Sequence, residues 1–186
     1  MNSTDLKSPV ARGERPGASV TVSQNSGPRQ AARETWVEVP SESGPAAAWC
    51  YSDRRAYKPG DSVRLYLSSN CPQVKLRIYR DGAIARTLHT SDSLDARFHP
   101  IPERAYEHGC QWPVFMQWSI PADAEQGGYI VEVRDGADSV LGHHLFIVKA
   151  LRKRADALVL IAATSTWAAY NDWGGANHYF GLHPGT

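Results

Sequence analysis

Apolar and polar positions alternate with a period of two through the middle of the chain. Thr35-Trp36-Val37-Glu38-Val39, Ser62-Val63-Arg64-Leu65-Tyr66-Leu67-Ser68 and Val74-Lys75-Leu76-Arg77-Ile78-Tyr79 each set every second side chain on one face, as a half-buried strand requires. Arg80-Asp81-Gly82 then reads as a tight hairpin, because an Asp-Gly pair accepts positive φ, with Ile84 to Leu88 as the returning strand. Gln117 to Pro121, Tyr129 to Arg134 and Val140 to Val148 resume the pattern. In the last of these, His143, Leu145 and Ile147 share one face, and His144, Phe146 and Val148 the other. Turn signals separate the runs at Tyr57-Lys58-Pro59-Gly60-Asp61, Gly127-Gly128 and Asp135-Gly136-Ala137-Asp138. About seven short strands spaced in this way predict a mostly β fold, an antiparallel β-sandwich of immunoglobulin-like type.

Three stretches break the pattern. Met1 to about Arg33 is rich in Ser, Pro, Gly, Arg and Asn, and too poor in large apolar residues to offset its ordering entropy. It is expected to be a disordered tail, residues 1–33. His89 to Met116 shows little alternation and is expected to be a long inserted loop, of a length that often serves function. Finally, Ala157-Leu158-Val159-Leu160-Ile161-Ala162-Ala163 is continuously apolar, the character of a strand buried on both faces of a parallel sheet. The change of period puts a boundary after Lys149, across a connector with four basic residues, Lys149, Arg152, Lys153 and Arg154. The expected organisation is a tail, a β-sandwich domain over 34–150, and over 151–186 the first strand of an incomplete α/β domain.

Composition narrows the partners. The chain has 186 residues, 42% of them hydrophobic, and a formal net charge of +1 without a long run of one sign. A nucleic-acid or anionic-membrane surface is not expected at that balance. No stretch approaches the roughly 20 apolar residues of a membrane span, and the N-terminus lacks a signal-type apolar core. Cys50, Cys71 and Cys110 form no Cys-x-x-Cys pair, which points to free thiols and a cytoplasmic setting.

Candidate chemistry concentrates after the last apolar strand. Thr164-Ser165-Thr166-Trp167-Ala168-Ala169-Tyr170-Asn171-Asp172-Trp173-Gly174-Gly175 sets aromatic, amide and glycine residues where open α/β sheets place their sites. A deprotonated phenol is a hard oxygen ligand for ferric iron. Asn171 offers both a donor and an acceptor to an amide-like substrate. The competing reading is that the two tryptophans and Tyr170 pack the junction between the domains. Elsewhere the readings are structural. His143 and His144 point to opposite faces and cannot share one metal. His99, Glu103, Glu107, His108 and Cys110 lack a matched ligand spacing and read as solvated loop groups. Asp53, Arg54 and Arg55 read as a surface cluster. Neither His-Glu-x-x-His, Gly-x-Ser-x-Gly, Walker nor Gly-x-Gly-x-x-Gly motifs occur.

Tyr57-Lys58-Pro59-Gly60-Asp61, Gly109-Cys110-Gln111-Trp112-Pro113, Gly128-Tyr129-Ile130-Val131 and above all Thr164 to Gly175 resemble the large (β) subunit of N,N-dimethylformamidase and its relatives, over roughly Trp49 to Leu182. The resemblance implies a β-sandwich followed by a glutamine-amidotransferase-like α/β domain. It implies hydrolysis of a small N-alkylated formamide to an amine and formate at a mononuclear, non-haem iron held by two tyrosines and a glutamate. By the same resemblance Tyr170 is an iron ligand, with Tyr179 as the alternative, and the remaining ligands are expected in downstream sequence. Asn171 is the candidate catalytic residue, and Trp167 and Trp173 are candidate walls for the substrate's methyl groups. The implied partners are a small amide substrate, a small second subunit and further copies of the chain. The chain is thus expected to be the N-terminal part of an amidohydrolase, inactive by itself. The second reading is a non-catalytic sandwich that binds a partner, with the 89–116 loop as its contact surface.

Overall fold

The computed structural model describes residues 40–152, 161–171 and 173. The expected tail, the strand over Thr35 to Val39, most of the apolar run from Ala157, and Tyr179 lie outside the described residues. The described chain is mostly β. Its strands are β1 (Ala48–Ser52), β2 (Ala56–Tyr57), β3 (Ser62–Ser69), β4 (Gln73–Arg80), β5 (Arg86–Thr90), β6 (Leu94–Asp95), β7 (Val114–Ser119), β8 (Gly127–Arg134) and β9 (Val140–Val148). Two short helices join them, α1 (Ala105–His108) and α2 (Thr164–Ala169).

The strands form two sheets. One runs β1-β3-β7, all antiparallel. The other runs β2-β9-β8-β4-β5, with β6 paired to the start of β4. It is antiparallel except where β2 lies parallel to β9. Alternation decides which side chains meet. Val63, Leu65 and Leu67 of β3, Val74, Leu76 and Ile78 of β4, Tyr129, Val131 and Val133 of β8, and Phe146 and Val148 of β9 are all buried in one core shared by both sheets. Truncating any of these leucines to alanine is expected to cost about 2–5 kcal/mol. The inner face also carries polar residues. His89, Ile78, Val131 and His144 form a single cross-strand row.

Local sequence explains the turn at one end. Pro59 and Gly60 occupy the centre of a turn closed by Asp61 N–H on the Lys58 carbonyl at 3.1 Å. Gly60 has φ of 86°, the conformation that a type II turn demands after proline. Gly60 and Ile120 then tie this turn to the end of β7 through backbone bonds of 2.9–3.1 Å.

Two connections differ from expectation. Arg80 pairs with Arg86, so Asp81-Gly82 belongs to a wider loop, and the returning strand starts at Arg86. Ile84 stays outside it, 86% exposed. The 89–116 stretch is not one plain loop. It contains β6, α1 and the first residues of β7, and its middle is pinned to β3, where the Ser68 hydroxyl donates to the His99 carbonyl and accepts from the His99 N–H.

Candidate functional site

The described part of the motif that follows the apolar run, residues 164–171 and 173, folds as α2 and a turn. Trp167 N–H bonds to the Ala163 carbonyl at 3.2 Å and Tyr170 N–H to that of Thr166 at 3.0 Å. Ile161 to Ala163, the described end of the apolar run, carry no strand, and Ile161 is 86% exposed. Past the helix, Asn171 Oδ1 accepts the Trp173 N–H at 3.1 Å. This is an Asx-type turn, the behaviour that favours asparagine where a helix gives way to a loop. It uses the carboxamide oxygen and leaves the Asn171 NH2 as a donor.

The three aromatic site residues therefore separate into two groups. Trp167 and Tyr170 stand three residues apart and are exposed, at 39% and 59%. Trp173 turns toward the β body and stacks on Trp112, ring centroids 5.9 Å apart and planes 24° from parallel. The junction-packing reading thus fits Trp173, while Trp167 and Tyr170 stay exposed.

Behind Trp112 the aromatic contacts continue into the sheet. Tyr51 on β1 lies 5.5 Å from Trp112 and stacks on Tyr66 of β3 at 4.7 Å. Trp112 is itself buried, and its Nε1–H donates to the Pro100 carbonyl at 3.1 Å. Burial pushes the Tyr51 phenol up to about 12, so Tyr51 serves as a neutral ring in this stack.

A second tie comes from the β1–β2 turn. The Arg55 guanidinium donates to the Thr164 carbonyl at the start of α2, at 2.7 Å. The turn that carries Arg55 is organised around Asp53, whose side chain is only 15% exposed. Asp53 Oδ1 accepts the Tyr57 hydroxyl at 2.8 Å and the Arg64 N–H at 2.9 Å, and Arg54 and Arg64 flank Oδ2 at 3.6–3.7 Å. Burial works to raise this carboxyl's pKa, but those hydrogen bonds and guanidiniums outweigh it and hold it low. Ser52 adds a link to β9. Its hydroxyl donates to the Arg54 carbonyl at 2.6 Å and meets His144 Nε2 at 2.7 Å. With the hydroxyl proton so committed, His144 is the donor in that pair. Asp53, Arg54 and Arg55, read from sequence as a surface cluster, form an ordered junction.

Sequence reasoning missed Arg55 and Trp112 as neighbours of the motif. Gly109-Cys110-Gln111-Trp112-Pro113 was the available signal, an indole set beside proline within a charged loop. The other loop candidates stay apart. Glu107 pairs with Arg104 and His108, and among the described residues no three His, Cys, Asp or Glu side chains are placed to share a metal. A phenolate donor falls outside that set. The iron that the resemblance implies would draw on Tyr170, whose phenol is the hard oxygen that such an ion takes and whose side chain is exposed. A separate cleft of about 450 Å³ on the outer sheet face is lined by Lys75, Arg77, Thr90, Arg134 and Asp138. Arg77 and Arg134 are already engaged there by the buried Glu132. No helix among the described residues is long and apolar enough to cross a membrane.

No curated protein matches the chain. Among solved structures, it is similar to Spo0M, a sporulation control protein from Bacillus subtilis, at 13% identity and a TM-score of 0.35, over 57% of this chain and 50% of that one. It is also similar to a GH3 beta-glucosidase from Bifidobacterium adolescentis, at 11% identity and a TM-score of 0.28, over 73% of this chain and 22% of that one. The chain thus spans half the length of the first structure and less than a quarter of the second. A family model described as "N,N-dimethylformamidase beta subunit-like, C-terminal" matches residues 73–186, more than half of the chain and all of the α2 motif.

Proposed function

Because the chain belongs to the N,N-dimethylformamidase beta subunit-like family, we propose that it is part of an iron-dependent amidohydrolase that cleaves a small N-alkylated formamide to an amine and formate. The observation that carries this reading is the family match running through Trp167, Tyr170, Asn171 and Trp173, of which Trp167 on α2 and Tyr170 just past it are exposed. In it, Tyr170 holds a mononuclear non-haem iron, and Tyr179 is the alternative ligand. When bound, iron supplies a Lewis acid that polarises the formyl oxygen or lowers the pKa of a bound water.

The chain's own residues take the remaining roles. A tertiary formamide has no N–H to recognise, so an apolar wall suits its methyl groups. Trp167, exposed one turn before Tyr170, fits that wall better than Trp173, which gives one face to Trp112. Asn171, with its carboxamide oxygen committed to the turn, offers its NH2 group to the substrate oxygen. The two-sheet body is read as an immunoglobulin-like sandwich, and residues 151–186 as the opening of a glutamine-amidotransferase-like domain. The family description, a beta subunit, supports a second subunit; its small size, assembly of several copies and a cytoplasmic location belong to the same proposal.

The test is metal analysis, visible absorption and formate release from N,N-dimethylformamide with the full-length protein. A tyrosinate-to-iron charge-transfer band and formate are expected. Tyr170→Phe should remove most of the iron and the band while the melting temperature holds. Full iron and activity in that variant would overturn the ligand assignment. A wild-type protein without iron or formate release would overturn the whole reading.

A further inference from the structure

We propose that Arg55 and Trp112 are positioning residues that clamp the Tyr170 segment to the β body at its two ends. Arg55 holds the first residue of α2 through the Thr164 carbonyl. Trp112 holds the far end by its stack with Trp173. Trp167, Tyr170 and Asn171 lie between these anchors. The clamp itself stands on this geometry alone, and its consequence for iron rests on the reading of Tyr170 given above.

The need for a clamp follows from helix length. α2 has six residues, well short of the ~12–15 at which an isolated helix becomes even marginally stable in water. Its direction must therefore come from tertiary contacts. Both anchors trace back to the end of β1. Tyr51 stacks on Tyr66 and supports Trp112, and four positions later Arg55 leaves a turn fixed by Asp53, Tyr57 and Arg64. Trp112 is held in turn by Pro100, in a loop that Ser68 pins at His99. The long insertion between β5 and β7 thus acquires a purpose, delivering a buried indole to the motif. Such support matters because a displacement of about 1 Å at a reacting group can cost on the order of a hundredfold in rate.

Hydrogen exchange of the full-length protein tests the clamp without reference to iron. Arg55 is exposed, so Arg55→Ala should leave the sheets intact. The α2 amides of Trp167 and Tyr170 should then exchange about fivefold to tenfold faster, the effect of one lost hydrogen bond, while those of β3 and β8 do not change. Arg55→Lys, which keeps a donor, should restore part of the protection. Trp112→Phe, which keeps a ring for Trp173, should protect α2 better than Trp112→Leu. In iron-loaded protein, the variants that loosen α2 should also shift the tyrosinate band, and Arg55→Lys and Trp112→Phe should bring it back. Unchanged α2 exchange in Arg55→Ala, or equal protection in Trp112→Phe and Trp112→Leu, overturns the clamp. An iron-free wild type with the predicted exchange pattern would overturn the iron reading and leave the clamp standing.

Discussion

A Cβ built on Gly142 would lie 2.0 Å from the carbonyl oxygen of Ala48 and 3.1 Å from its carbonyl carbon. Gly142 pairs with Val133 and stands on the inner face of β9, where β1 of the other sheet passes over it. Glycine is what lets the two backbones come this close. The obstacle is main chain and cannot rotate aside. Gly142→Ala should therefore destabilise the protein by about 3 kcal/mol or more, read as a lower urea midpoint at unchanged slope. Gly128→Ala is the control. Its Cβ would meet the Leu145 Cδ1 atom at 3.3 Å, a side-chain tip that can shift, and the expected cost is below ~1 kcal/mol.

Asp53 gathers the β1–β2 turn through charge-assisted hydrogen bonds. Replacing it with asparagine removes the charge facing Arg54 and Arg64 and leaves the Tyr57 hydroxyl a weaker acceptor. The expected loss is about 2 kcal/mol. Its depressed pKa makes the contribution pH-dependent in a defined sense. The stability is present above the unfolded carboxyl value of about 3.9 and is lost as pH falls through the lower folded value. Asp53→Asn should remove that part of the acid limb, as measured by urea unfolding across pH.

The alternating strands were legible because one buried face imposes a period of two. β3, β4, β8 and β9 lie where the pattern puts them, and the face shared by Phe146 and Val148 is the buried one. β1 shows no such period, because Ala48, Trp49 and Cys50 are all buried in succession. β2 is two residues long and exists through its parallel pairing with β9, a non-local contact that no local pattern announces. The site divides in the same way. Its own segment was visible as a dense motif, but its supports were not. Arg55 reaches Thr164 across 109 residues, and Trp112 sits in a loop whose position is set by Ser68 and Pro100.

The three cysteines should differ in reactivity. Burial pushes the Cys50 thiol up to about 12, and it also raises Cys110, which is less deeply placed. Thiolate is the nucleophile, so a buried, high-pKa thiol reacts slowly. Iodoacetamide at mild alkaline pH should label Cys71 fastest and Cys110 more slowly in the native protein, and spare Cys50. In urea all three should react. Native labelling of Cys50 at the rate of Cys71 would contradict the closed core around β1.

Burial of His144 is expected to make stability fall in mild acid. Burial lowers its pKa from 6.5 to about 4, so the folded protein holds it neutral while the unfolded chain takes up a proton below about 6.5. The unfolded state then binds more protons, and stability must fall as pH drops through that window. Integrated from 6.5 to about 4 the loss is on the order of 3 kcal/mol. Below about pH 4 both states carry the proton, and the remaining acid sensitivity belongs to carboxylates such as Asp53. His144→Gln cannot titrate, and its amide can still donate to Ser52. Its urea midpoint should therefore stay flat between pH 6.5 and 4.5 where the wild type declines. A parallel decline in both proteins would show that the imidazole is not the group responsible.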